Sequence, residues 1–132
     1  MSGMSSGIQG VIVQAALVAA AGAVGTLARH GGTALAARVV GTAFPWGTLA
    51  VNVAGAFACG AVLAFARSRE LAPATEAALI VGLLGGFTTY SSFAVQSVEM
   101  LAAGRVTAAV VYVAATLVIG FAAAWAGLRC FG

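Results

Sequence analysis

The chain has 132 residues, 62% of them hydrophobic and 7% charged, with a formal net charge of +3 and a mean hydropathy of +1.09. That composition leaves too little polar surface for a water-soluble domain, and with no run of basic residues it offers no footprint for nucleic acid or for anionic lipid headgroups. The positions of the charges predict an all-α membrane protein. No Asp, Glu, Lys or Arg occurs in residues 1–28, 39–66, 77–98 or 106–128, and each run meets the roughly 20 apolar residues that carry a helix across a bilayer. A single four-helix transmembrane domain over residues 1–132 is expected, with spans near 8–30, 45–66, 74–102 and 105–129.

The N-terminal run has no basic n-region, and the stretch Gly10–Ala28 suits a span better than a signal peptide. It is read as transmembrane helix 1 after a short Ser/Gly-rich tail. Arg29 to about Phe44 joins helices 1 and 2, and Pro45-Trp46-Gly47 marks the entry of helix 2, where proline is tolerated and tryptophan suits an interface. Within helix 2, Thr48 and Asn52 are four residues apart and share a face. Ala50, Ala54 and Ala58 form a stripe that permits close helix contact, to which Gly55 and Gly60 add. A carboxamide in hydrocarbon needs partners, so Asn52 is either interhelical glue or part of a pathway.

Arg67-Ser68-Arg69-Glu70 leads to Pro73 and helix 3, which carries the most unusual stretch of the chain, Gly85-Gly86-Phe87-Thr88-Thr89-Tyr90-Ser91-Ser92-Phe93. Irregular backbone at membrane depth survives only where it lines a cavity or meets a partner, because an unsatisfied peptide group there costs several kcal/mol. A functional break in helix 3 near residues 85–89 is therefore expected. Beyond it, Tyr90 and Phe93 share one face while Ser92, Gln96 and Glu99 follow another. Glu99 to Arg105, with Gly104, turns the chain into helix 4, where Tyr112, Thr116 and Gly120 recur at four-residue intervals along one stripe.

Cys59 and Cys130 belong to no CxxC or Cys/His cluster and are read as buried small residues, and His30 at a helix end is read as an interfacial structural residue. No His with a Ser or Cys nucleophile, HExxH, aspartate pair or phosphate-binding loop is present, so an enzyme is not expected. Buried neutral donors with almost no buried acid suit conduction of an anion better than of a cation or proton. All six basic residues are arginines: Arg67, Arg69 and Arg129 fall on one side of the membrane, and Arg38, Arg105 and Arg29 on the other. A balance of three against three gives the positive-inside rule no bias, so insertion in both orientations and an antiparallel dimer are expected. Four helices are also too few to enclose a pathway alone.

Three motifs in order, Gly22-x-x-Gly25-x-x-x-Arg29, Gly47-Thr48-Leu49-x-Val51-Asn52-x-x-Gly55-x-Phe57-x-x-Gly60 and Gly82-x-x-Gly85-Gly86-Phe87-Thr88-Thr89-Tyr90-Ser91-Ser92-Phe93, resemble the Fluc (CrcB) family of fluoride channels, and the resemblance runs from helix 1 to helix 4. It implies an antiparallel, dual-topology dimer in a prokaryotic cell membrane, acting as a passive fluoride-selective channel that exports cytoplasmic fluoride, with a structural sodium ion at the dimer centre. On the family pattern the backbone carbonyls of Gly85 and Thr88 hold the sodium ion and Asn52 is the pore asparagine. Tyr90 and Phe93 form the aromatic box, and Ser91, Ser92, Thr48, Tyr112 and Thr116 form a hydroxyl track. Arg29 lies near an aqueous entrance.

The chain departs from the pattern at Tyr90, usually phenylalanine, at Gln96, usually glutamate, and at Gly120, often serine. The resemblance admits pairing with a related subunit as well as with a second copy. A proton-coupled small multidrug transporter shares the four-helix dual-topology plan but needs a glutamate inside helix 1, which has no acid. A non-conducting packing subunit would have no reason for organised polar stripes.

Overall fold

A computed structural model describes residues 2–131, with side chains from residue 7 onward. All of its regular structure is helical. Helix α1 spans Ser2–Val40 and α2 spans Trp46–Arg69. The third span is divided into α3, residues 73–87, and α4, Tyr90–Ala102, and the chain ends in α5, Val106–Phe131. Four segments, Gly7–Val40, Trp46–Arg69, Pro73–Ala102 and Val106–Phe131, are long and apolar enough to cross a bilayer, as expected of a multi-pass membrane protein.

Helix α1 continues ten residues past the expected end of its span, to Val40 rather than 30. Between Arg29 and Val40 only Gly31-Gly32 interrupts good helix formers such as Ala34, Leu35, Ala36 and Ala37. The helix stops at Gly41, whose φ of +82° and N–H bond to Ala37 O form a left-handed terminus. The connection to α2 is correspondingly short. Helix α3 opens with Pro73 in its first turn, widens into a π-helical stretch over Ala78–Leu84, and closes with the turn Gly85–Phe87. A π segment shifts the register of the side chains beyond it and is frequent at functional sites.

Helix α2 packs along α5 and α1 packs along α3. Both pairs approach through glycine: a Cβ on Gly60 would overlap the Ala124 carbonyl of α5, and one on Gly86 would lie 2.5 Å from Gly22 O of α1. In a bilayer, where lipid is as apolar as leucine, such backbone proximity supplies the packing contacts that hold helices together. The alanine stripe does not play this part within the chain. Ala50 and Ala54 face outward, whereas Gly55 and Gly60, with Ala64 and Ala66 further along, are buried. Cys130 is also exposed rather than buried, because it lies at the free end of α5, while Cys59 is half-buried. The compact centre is formed by Leu49, Met100, Ala109 and Tyr112, where α2, α4 and α5 converge. It lies directly beyond the break in the third span.

Candidate ion pathway at the helix break

Gly85 and Gly86 keep helical backbone, but Thr88 (φ −84°, ψ 159°) and Thr89 (φ −149°, ψ 114°) are extended before the helix resumes at Tyr90. In a continuous α-helix the N–H of residue i bonds to the carbonyl of i−4. Here the partners are replaced by side chains. Thr89 N–H donates to Asn52 Oδ1 at 2.8 Å instead of to Gly85, and Asn52 Nδ2 donates to Thr89 O at 3.0 Å. Thr89 Oγ1 caps α4 by accepting from Ser92 N–H at 3.2 Å, which withdraws that donor from Thr88. Arg29 Nε donates to Gly86 O at 3.0 Å, replacing the Tyr90 N–H. Among the described residues, the carbonyls of Gly85, Phe87 and Thr88 lose the helical donors Thr89, Ser91 and Ser92 N–H and gain no side-chain donor. Hard, preorganised oxygen atoms of this kind suit a hard cation.

Asn52 therefore brackets the break with both ends of its carboxamide, and one Nδ2 hydrogen remains for a ligand. Arg29, read from the sequence as lying near an entrance, is half-buried against the end of α3.

Two cavities lie along the third span, one at the break and one near the far end of α4. A lateral groove of about 600 Å³ is lined by Asn52, Gly85, Thr88, Tyr90, Phe93 and Thr116. Tyr90 is 80% exposed there, and Thr116 carries a buried Oγ1 with no hydrogen-bond partner. Gly120 also faces the groove, and a Cβ at that position would meet nothing within 4 Å. Ser91 and Ser92 stay close to Thr89, their hydroxyls 3.2 and 3.1 Å from Thr89 Oγ1.

The second cavity, about 450 Å³, opens between the α1–α2 connection and the end of α4, with Thr33, Thr48, Gln96, Glu99 and Arg105 in its wall. Tyr112, fully buried, stands between the two cavities. Its hydroxyl donates to Gln96 Oε1 at 2.9 Å, which leaves the Gln96 NH₂ as a donor. The Phe93 ring lies 5.9 Å from Tyr90 and 5.3 Å from Tyr112, so the aromatic residues form one continuous wall.

The structure thus gathers Asn52, Gly85, Thr88, Tyr90, Phe93 and Thr116 on the groove, and Thr48 and Gln96 on the second cavity. Sequence reasoning assigned no role to Thr89, although Thr89 followed at N3 by Ser92 is a recognisable cap signal.

The profile of a family described as "CrcB-like protein, Camphor Resistance (CrcB)" matches residues 16–128. The chain is 43% identical over 119 residues to the "Fluoride-specific ion channel FluC" of Rhizobium etli, covering 89% of this chain and 94% of that protein. A protein of the same name from Chelativorans sp. is 44% identical over 114 residues, covering 85% of this chain and 90% of its own length. A third, from Thermus thermophilus, is 40% identical over 116 residues, with 88% and 93% covered. With its four membrane-crossing helices and these bacterial relatives, which carry the name fluoride-specific ion channel, this is a multi-pass membrane protein of a prokaryote, and it belongs to the CrcB family.

Proposed function

We propose that this chain is a passive fluoride channel, the activity its relatives' names carry. The observation that carries the reading is chemical. One groove at membrane depth collects an amide donor, hydroxyls and ring edges, and no acid is among its lining residues. Fluoride is small and strongly hydrated, so a selective path must replace water with donors. Asn52 has one Nδ2 hydrogen to offer, and Thr116 Oγ1 is free of protein partners. The edges of the Phe93 and Tyr90 rings carry partial positive charge. Past Tyr112, Gln96 and Thr48 continue the polar lining toward water. Gln96 presents an N–H donor where a carboxylate would repel the anion. Hydrogen fluoride enters a cell as a neutral weak acid and ionises inside, so a passive conductor suffices for export.

The channel is completed by a second copy in antiparallel orientation. The three-against-three arginine balance supports dual insertion. Carbonyls freed at Gly85 and Thr88 would be orphaned against lipid tails, so their groove calls for a protein partner. A sodium ion held by these carbonyls from both copies would satisfy them and supply a fixed positive charge at the dimer centre. Purified protein should then unfold at a higher temperature in sodium chloride than in N-methylglucamine chloride, since a ligand that binds only the folded state stabilises it. Equal midpoints would count against the ion.

The direct test of function is fluoride efflux from liposomes containing only this protein, with chloride as the comparison ion. Fluoride-selective efflux is expected. No flux from well-folded protein, alone or co-reconstituted with a related chain, would overturn the channel reading.

A further inference from the structure

The wall of rings does not end at Tyr112. Phe44, in the connection between α1 and α2, meets the Tyr112 ring edge-on at 5.5 Å and 82°, and Trp46 lies 4.6 Å beyond it. Tyr90, Phe93, Tyr112, Phe44 and Trp46 therefore form an unbroken row from the lateral groove to the wall of the second cavity, in which Phe44 stands beside Thr48, Gln96 and Arg105.

Phe44 is held in place from three sides. Pro45 (φ −79°, ψ 57°) makes an inverse γ-turn, closed by Trp46 N–H on Phe44 O at 2.8 Å. Arg105 Nη2 reaches across from the start of α5 to donate to Ala43 O, the carbonyl just before Phe44. The ring itself packs on the cluster of Leu49, Met100, Ala109 and Tyr112. A residue that merely closed the connection would not need its ring orientation fixed by a turn, a guanidinium and an aromatic partner together.

We infer that Phe44 is a further residue of the anion pathway, the aromatic that passes the ion between the second cavity and the Tyr112–Gln96 pair, with Arg105 as its positioning residue. The inference rests on the channel reading given above. An anion leaving the cavity must shed water before it reaches Phe93, and ring edges offer it positive partial charge without a tightly binding donor. Arg105 shares the cavity wall with Glu99, and its guanidinium supplies the positive charge that an anion meets there.

A competing account makes Phe44 only the hydrophobic staple of α2, packing against Leu49. The two accounts separate by substitution. Phe44→Leu keeps the apolar anchor and removes the ring, whereas Phe44→Tyr keeps the ring. In reconstituted liposomes, Phe44→Leu is expected to slow fluoride efflux by about three- to tenfold. Phe44→Tyr should stay near wild type, and both should retain the wild-type elution volume and melting temperature. Arg105→Gln should slow efflux, and Arg105→Lys should restore most of it.

Wild-type efflux from Phe44→Leu would overturn the inference, as would equal losses in the Leu and Tyr variants. If Phe44→Leu fails to fold while Phe44→Tyr and Arg105→Gln fold and conduct as wild type, the staple account stands instead. Failure of the unsubstituted protein to conduct would strike the channel reading and is read from the same liposomes.

Discussion

Asn52→Asp is expected to abolish fluoride flux, through two effects that the structure separates. The substituted carboxylate keeps an acceptor for the Thr89 N–H but loses the donor that now reaches Thr89 O at 3.0 Å. Two oxygens then face each other at the break, one of them charged. A buried acid at the centre of a span costs on the order of 2.5–3.5 kcal/mol, and an anion passing it meets like charge. Flux should fall by about a hundredfold or more, since each 1.4 kcal/mol is a factor of ten.

Asn52→Ala serves as the control. It adds no charge but leaves the Thr89 N–H and C=O without partners, at about 1–3 kcal/mol for each buried group. If the asparagine were only a bracket, the Asp and Ala variants would lose stability and flux in parallel. As a pathway residue it should lose far more flux in the Asp variant than stability explains. Efflux and melting temperature measured on both variants decide this, and unchanged flux in Asn52→Asp would remove the residue from the pathway.

The break itself was legible because its composition is incompatible with an ordinary span: a diglycine followed by hydroxyls has no purpose against lipid. The bracket was not. Asn52 and Thr89 are 37 residues apart, and periodicity in one helix says nothing about which backbone group on another helix a carboxamide will meet. Arg29 shows the same limit. The family resemblance places it near an entrance, and only the packing of α1 on α3 brings its Nε to Gly86 O. The end of α1 was missed because charges at Arg29 and Arg38 mark where the apolar run ends, whereas helix termination is set by Gly41. Within the chain the crossing of α2 is made at glycine rather than along the alanine stripe, since glycine allows closer approach than alanine. Phe44 carried too weak a signal, an aromatic before a proline, to be distinguished from an interfacial anchor.

Phe93→Ile should impair permeation while leaving the fold in place. Phe93 occupies the middle of the ring row, in contact with Tyr90 on the groove side and Tyr112 on the other. Isoleucine keeps an apolar side chain at the same point of α4, so the packing deficit is modest, and the Ser97 hydroxyl, which donates to the Phe93 backbone carbonyl, is untouched. The loss is electrostatic. An aliphatic group offers the ion no positive edge. Efflux should drop by about tenfold or more, with the melting temperature shifted by only a few degrees. A fully active, well-folded Phe93→Ile would count against any role for the ring. Because Phe93 and Phe44 both touch the Tyr112 ring, the double variant Phe93→Ile, Phe44→Leu tests the row as a unit. If both rings act through Tyr112, their effects on the rate of efflux will fall short of additive. Strict additivity would assign the two rings to independent steps.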